Sequence, residues 1–442
     1  MAKSRSSRAT NRQRAAVVCT PGLEQICAAE LEALGCRPKP AGPGLLEFNA
    51  TPRQLYSANV WLRTASRVIV RIDTFRATDF FHLQDHASRI DWARWVPNGY
   101  APRFKISSND SKLYHTKAIA QRLHQVSLPP SIGEPEQLFI VRIDRNNVTI
   151  SADSSGQALH KRPWRTELGE APLRTTMAAA MLLSCRWSPD TGLIDPFCGS
   201  GTIGIEGALL ASRRPPGGDR EFAFHHWPDF EPGSWASVVG AVGSLGASVA
   251  QEQLGPILMS DRDSDVVAAA IRNAERAGVA DRIEFEKRVV AHLKGRTGSG
   301  MVVTNPPYGK RLGRGELKGL YGRLGAVVRE RLADYGLMVL TPDSKLAKTA
   351  DGRLRSVARF RHGGLAVEMF HRPPPVTEDK PSAEDPTSQG EPITPVEPVE
   401  PVEDRTSQVE PAEPASIAAD DPEPGHRSNS DGRSPDARPV VS

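Results

Sequence analysis

Asn305-Pro306-Pro307-Tyr308 is the stretch whose residue types and spacing carry the most chemistry. Two successive prolines remove two N–H donors and fix φ, holding the Asn amide oxygen and the backbone carbonyl after it as outward acceptors. Two acceptors beside a flat aromatic ring suit the exocyclic amino group of a planar base. Hydrogen bonds from that NH₂ orient its lone pair toward an electrophile, and Tyr308 stacks on the ring. The competing reading is an ordinary loop after a strand, so the surroundings have to decide.

Those surroundings are a series of strand, loop and helix units. Gly192-Leu-Ile-Asp-Pro reads as a buried strand ending in the carboxylate of Asp195. The loop Phe197-Cys198-Gly199-Ser200-Gly201-Thr202 and an apolar helix, Ile203–Ala211, follow it. Gly199 to Gly204 satisfies GxGxxG, a weak signal alone, and lacks the Gly-Lys-Ser/Thr of a P-loop. Ile257-Leu-Met-Ser-Asp261 is a second strand ending in acids, Asp261 and then Asp263, trailed by a helix over Val266–Ala277. Ile283–Phe285 is a third strand. Met301 to Thr304 is a fourth, running into the rigid turn, and Gly336–Thr341 is a fifth. Alternating units of this kind predict an α/β fold with a parallel sheet and ligands at the carboxyl ends of its strands.

The first 150 residues follow a different pattern. Ala16–Cys19, Gly44–Phe48 and Val68–Ile72 read as short strands, with a helix opened by Pro21 and another capped by Thr51. Arg103–Ser107 alternates basic and apolar residues. Tyr114–Gln125 is a helix with Ala118, Ile119 and Leu123 inward, and Leu138–Ile143 with Val148–Ala152 form a hairpin. Lys105, Lys112, Lys117 and Arg122 present cations beside this sheet, as a phosphate backbone requires. A solvated helix face explains them equally well. Lys310 and Arg311, just after the turn, are further candidates for phosphate contact. His225-His226-Trp227 has too few neighbouring ligands for zinc and reads as structural, and Cys198 reads as a small packing residue within the loop.

Charge is unevenly spread. Residues 373–442 hold 16 acids against 5 basic residues, a net −11, and 15 of the chain's 37 prolines. The remaining 372 residues carry a net +15. A basic body points to a polyanionic partner, whereas the acidic Pro-rich tail with its Pro-Val-Glu repeat reads as disordered. No run of about 18 apolar residues is present to span a membrane. The five cysteines form no CxxC pair and no metal cluster, which predicts a reduced, cytoplasmic protein with neither disulfides nor bound metal.

From Val17 to Arg372 the chain resembles the THUMP-containing class I RNA methyltransferases, most closely the bacterial large-subunit ribosomal RNA guanine-N2 methyltransferases. The resemblance is carried by Ser155-Gly-Gln-Ala-Leu-His-Lys-Arg-Pro-Trp-Arg, Gly169-Glu-Ala-Pro-Leu-Arg and Asp195-Pro-Phe-Cys-Gly-Ser-Gly-Thr, then Ser260-Asp-Arg-Asp and Thr304-Asn-Pro-Pro-Tyr-Gly-Lys-Arg-Leu. It implies a Rossmann-like methyltransferase domain preceded by an α+β ferredoxin-like and THUMP RNA-binding region. The implied division is a basic arm (1–15), a ferredoxin-like segment (16–44), THUMP (45–155), a linker (156–175), the methyltransferase domain (176–372) and the tail (373–442).

The resemblance also implies S-adenosylmethionine as cofactor and ribosomal RNA as partner. Asp195, Cys198, Gly199, Ser200, Gly201 and Thr202 would form the loop around the amino-acid part, and the two glycines would let the backbone approach. Asp261, with Asp263 beside it, would hold the ribose. Asn305, Pro306, Pro307 and Tyr308 would be the catalytic turn. Val289 stands where the family has an acid for the adenine amino group. Guanine N2 of transfer RNA, adenine N6, and an inert RNA-binding assembly protein are the alternative readings.

Overall fold

The computed structural model describes residues 12–127, 135–167, 173–218, 220–247, 254–308 and 313–375. The acidic tail beyond 375, Lys310 and Arg311 lie outside them.

The first sheet is built from β1 (Gln13–Cys19), β2 (Lys39–Gly42), β3 (Leu45–Ala50), β4 (Ala65–Arg76), β5 (Ala101–Asn109), β6 (Glu136–Asp144) and β7 (Asn147–Asp153). Its order is β2-β3-β1-β4-β7-β6-β5, antiparallel except for the β5–β6 pair. α1 (Glu24–Ala33), α2 (Pro52–Trp61), α3 (Phe80–Ser88) and α4 (Thr116–Val126) connect the strands. Strand alternation sends Ala15 and Val17, Leu46 and Phe48, Val68 and Val70, and Phe139 and Val141 into one core with these helices. α2 starts where Thr51 predicts it: the hydroxyl accepts from the Gln54 N–H at 3.3 Å, and the Gln54 side chain accepts from the Thr51 N–H at 3.1 Å. The β6–β7 hairpin turns through Arg145 and Asn146, both at positive φ.

The second sheet follows α5 (Thr175–Ser184), an alanine-rich helix. β8 (Gly192–Asp195), α6 (Thr202–Ala211), α7 (Pro232–Ala247), β9 (Ile257–Asp261), α8 (Ser264–Arg276), β10 (Ile283–Lys287), β11 (Gly300–Thr304), α9 (Arg314–Arg331) and β12 (Tyr335–Thr341) come next. α10 (Ser344–Ala350) then leads to β13 (Arg355–His362) and β14 (Leu365–Arg372). The order is β10-β9-β8-β11-β12-β14-β13. Five strands are parallel, as expected. The closing hairpin β13–β14 is antiparallel and was not signalled by the βαβ pattern. α5, α6 and α8 cover one face of this sheet, α9 and α10 the other.

After β8 the chain winds outward to β9 and β10, then crosses back to β11 and β12. β8 and β11 are therefore neighbours that lead in opposite directions, the point at which an open α/β sheet leaves a crevice at its carboxyl ends.

Candidate active site

The crevice is occupied by a cleft of about 1780 Å³ whose walls include Asp195, Cys198, Gly199, Ser200, Thr202, Asp261, Asp263, Val289, Asn305, Pro306, Pro307 and Tyr308. Of the residues the sequence puts forward for the loop, the strand ends and the turn, every one but Gly201 meets here.

Asp195 ends β8 in a fully buried position. The Thr304 hydroxyl donates to its Oδ1 at 2.7 Å, and the Phe197 N–H donates to the same oxygen at 3.2 Å. Burial pushes its pKa up to about 7, helped by the nearby charge of Asp261. Thr304 ends β11, so this bond ties the two divergent strands together under the cleft. Thr304 belongs to no motif of its own; its place directly before the Asn-Pro-Pro turn is the sequence signal that marks it.

Asp261 ends β9 and anchors the loop. Its Oδ2 accepts from the Gly199 N–H and its Oδ1 from the Asp263 N–H, both at 3.2 Å. Asp263 caps α8, accepting from the Asp265 N–H at 2.9 Å. Asn273 of α8 donates to the Ser200 carbonyl at 3.0 Å, so the loop is held from below as well.

The two glycines do different things. Gly199 has φ +52, and a Cβ there would meet nothing within 4 Å, so its open side faces the cleft. Gly201 has φ +83 at the start of α6, and its Cβ would stand 3.0 Å from the Cβ of Ala270 on α8. The expectation that both glycines clear space for a ligand is corrected at Gly201, which lets two helices pack. Cys198 is buried, with its thiol pKa pushed well up by burial, as a packing residue's would be.

At the turn, the Asn305 Oδ1 atom is buried with no hydrogen-bond partner among the described residues. A buried unmatched acceptor is costly, on the order of 1–3 kcal/mol, and is rare without a reason. Tyr308 is half-buried against the core beneath the sheet, and its burial pushes the phenol pKa up to about 12. Glu167 reaches the rim, where Arg272 and then Arg276 hold its pKa down at about 2. Val289 is 42% exposed on the cleft wall, and both oxygens of nearby Glu286 are taken by Arg288.

The candidate RNA contacts are spread more widely. Lys112, Lys117 and Arg122 are exposed on and beside α4. Lys105 alternates with Phe104 and Ile106, which pack into the helix-covered core, so it leaves the sheet on the other face. His225 and His226 belong to a short turn packed on the first core. His225 lies edge-on to Trp235 with ring centroids 4.5 Å apart, and Phe224 stacks on Tyr56 of α2 at 4.3 Å.

A doubly wound sheet, a glycine loop closed by an acidic strand end, and an Asn-Pro-Pro-Tyr turn at the switch point define a Rossmann-like methyltransferase domain behind a ferredoxin-like one. Comparison with known proteins gives the family. The model of the RMKL-like methyltransferase domain matches residues 162–365, and that of the RlmL ferredoxin-like domain matches residues 15–69. The chain is 30% identical over 367 residues to the putative RNA methyltransferase slr0064 of Synechocystis, covering 79% of this chain and 94% of that one. It is 33% identical over 367 residues to the ribosomal RNA large subunit methyltransferase K/L of Methylococcus capsulatus, covering 79% of this chain and 50% of that protein. The chain thus spans about half the length of the K/L relatives. A solved structure, SMU.472, a putative methyltransferase complexed with SAH, aligns with TM-score 0.75 and 26% identity over 83% of this chain and 99% of that one. The chain belongs to the RMKL-like methyltransferase family.

Proposed function

We propose that this protein is an S-adenosylmethionine-dependent RNA methyltransferase that modifies the N2 amine of a guanine in large-subunit ribosomal RNA. The observation that carries the reading is the buried Asn305 Oδ1 at the cleft, an acceptor without a partner among the described residues and one that an exocyclic amine can satisfy. The names of the relatives, ribosomal RNA and RNA methyltransferases, support the substrate.

The residues fit the cofactor. Gly199 leaves open space over the loop, and each oxygen of Asp261, on the cleft wall, accepts one backbone N–H and has a further lone pair for a ribose hydroxyl. A cationic group near Asp195 and Asp261 relieves the repulsion between them. Asp195, Cys198, Gly199, Ser200, Thr202, Asp261 and Asp263 are the residues that would hold it, with Gly201 shaping the loop. At Val289 the wall offers an apolar side chain and backbone groups for the adenine. When bound, S-adenosylmethionine supplies an electrophilic methyl on a sulfonium.

The chain's own contribution is positioning. Asn305 Oδ1 and the backbone carbonyl after it accept the two N–H bonds of the target amine, which aims its lone pair, while Tyr308 stacks on the base. Pro306 and Pro307 keep the turn from relaxing. No general base is required before transfer, because the methylated nitrogen is cationic and sheds its proton afterward.

The same reading assigns the part of residues 45–155 that lies beyond the ferredoxin-like match to a THUMP module, with Lys105, Lys112, Lys117, Arg122, Lys310 and Arg311 as phosphate contacts. It places the enzyme in the cytoplasm, in keeping with five free, buried cysteines. Among the described residues no helix is long and apolar enough to cross a membrane.

The test is Asn305→Ala. Methyl transfer in single turnover should fall at least about a hundredfold, since losing one orienting partner of this kind raises the barrier by several kcal/mol. Calorimetry should find the affinity for S-adenosylhomocysteine within a few-fold of the parent. Full activity in the variant would refute the role given to the turn.

A further inference from the structure

The first sheet has two unlike faces. One is covered by helices; the residues that alternate onto the other form a small cluster, Ala16, Leu45 and Ile69, that includes no helix residue. Ile140 of β6 packs against that cluster, whose member on β4, Ile69, is one strand away across β7. Arg142, two residues farther along β6, reaches across until its Nη1 lies 3.8 Å from the Cβ position of Gly42 on β2. The sheet is therefore curled into a trough with an apolar floor.

Guanidinium groups stand along this trough. Arg14 on β1 and Arg71 on β4 border a hollow of about 330 Å³ together with Arg12, Arg94, Trp95 and Asp73. Arg71 is bound to Glu47 at 2.8 Å and to Ser151 at 3.0 Å. Arg94 lies over the Trp95 ring at 5.0 Å and pairs with Asp229 at 3.0 Å. With Arg142, five guanidiniums meet four carboxylates, Glu47, Asp73, Asp144 and Asp229. Among the described residues Arg14 and Arg142 have no carboxylate within ion-pair distance, yet both stand near enough to Arg71 to repel its charge. Among the described residues the guanidiniums outnumber the carboxylates above the apolar floor of Ala16, Leu45 and Ile69.

We propose that this trough binds the phosphodiester backbone of the RNA substrate, on the face of the sheet opposite α4. Charge selects the ligand: guanidiniums spread over β1, β4 and β6, two of them without a carboxylate at ion-pair distance among the described residues, suit a chain of repeated phosphates. The proposal rests on the RNA reading given above and extends it to a surface remote from the turn.

The experiment measures binding of the full chain to a fluorescently labelled fragment of protein-free large-subunit ribosomal RNA across a salt series. The double variant Arg14→Glu with Arg142→Glu should bind at least about tenfold more weakly near 0.1 M salt, with the slope of log Kd on log salt shallower by about 2. Lys345→Glu with Lys348→Glu on α10 is the charge-matched control and should stay within about threefold of the parent. Arg14→Gln with Arg142→Gln gives a milder form of the same loss if the charge reversal disturbs folding. S-adenosylhomocysteine affinity should be unchanged in all of them. RNA binding by the double variant equal to that of the control would overturn the trough alone. A parental dimer that the variant disperses with RNA affinity intact would do the same, assigning the face to a second copy. A parental chain that binds S-adenosylhomocysteine but no RNA would overturn the RNA reading and this proposal with it.

Discussion

Gly199 and Asp195 show how single positions shape the cleft. Gly199 is at positive φ with open space above it, so any side chain there projects toward the ligand. Asn tolerates this backbone better than other residues, so Gly199→Asn separates filling of the cleft from backbone strain. Its S-adenosylhomocysteine affinity should drop at least about tenfold with only a small change in Tm. Parental affinity would mean that the ligand does not lie over Gly199. Asp195 gives a pH signature. Its folded pKa, about 7, is raised above the ordinary carboxylate value, so the native state holds its proton more tightly than the unfolded chain. The stability this contributes is fully present below about pH 4 and is lost as pH rises to about 7. Asp195→Asn cannot ionise and still accepts from Thr304. In the absence of ligand its Tm should gain steadily on the parent from pH 4 to 7 and level off above, worth on the order of a few kcal/mol. An offset that does not vary with pH would contradict the burial account.

At the scale of elements, Gly201 serves the contact between α6 and α8. A branched side chain there meets both Ala270 and Ile205 at a backbone angle that disfavours it. Gly201→Val should therefore lower Tm clearly as well as weaken ligand binding, unlike Gly199→Asn; thermal denaturation of the two side by side distinguishes them. The strands and loops around the cleft were legible because each has a local signal: β8, β9 and β11 are short apolar runs closed by acids or prolines. The elements that escaped reading lack such signals. α9 contains four glycines, at 315, 319, 322 and 325, which read as breakers. Gly325 is there because a Cβ would strike the backbone of Ala350 on α10, a reason that only packing reveals. β13 is an edge strand with one buried residue, Phe360, among arginines, so it shows no apolar alternation. The residues between α6 and β9 supply Phe222, Phe224 and Trp227 to the core of the first sheet. No local pattern foretells so distant a partner.

Across the whole molecule, the ferredoxin-like domain is joined to the methyltransferase domain by buried charge. Glu206 of α6 is fully buried, with Arg162 at 3.0 Å and Arg63 at 3.6 Å. Arg63 follows α2 and also donates to the carbonyls of Leu209 and Arg214, at 3.3 and 2.6 Å, at the carboxyl end of α6. Arg162 in turn donates to the Arg63 carbonyl at 2.9 Å. The helix that begins at the glycine loop is thus fastened at its far end to the other domain. Glu206→Ala would strand two buried guanidiniums and should cost about 3–5 kcal/mol in denaturant unfolding. A loss below about 1 kcal/mol would show that the triad is not what joins the two. The reaction is tested on the RNA itself. Parental protein is incubated with protein-free large-subunit ribosomal RNA and S-adenosylmethionine carrying a labelled methyl group, and the digested nucleosides are resolved by mass spectrometry. The label is predicted in N2-methylguanosine. Label in N6-methyladenosine would leave the geometry of the turn standing and contradict the substrate, and no labelled nucleoside at all would contradict the enzyme.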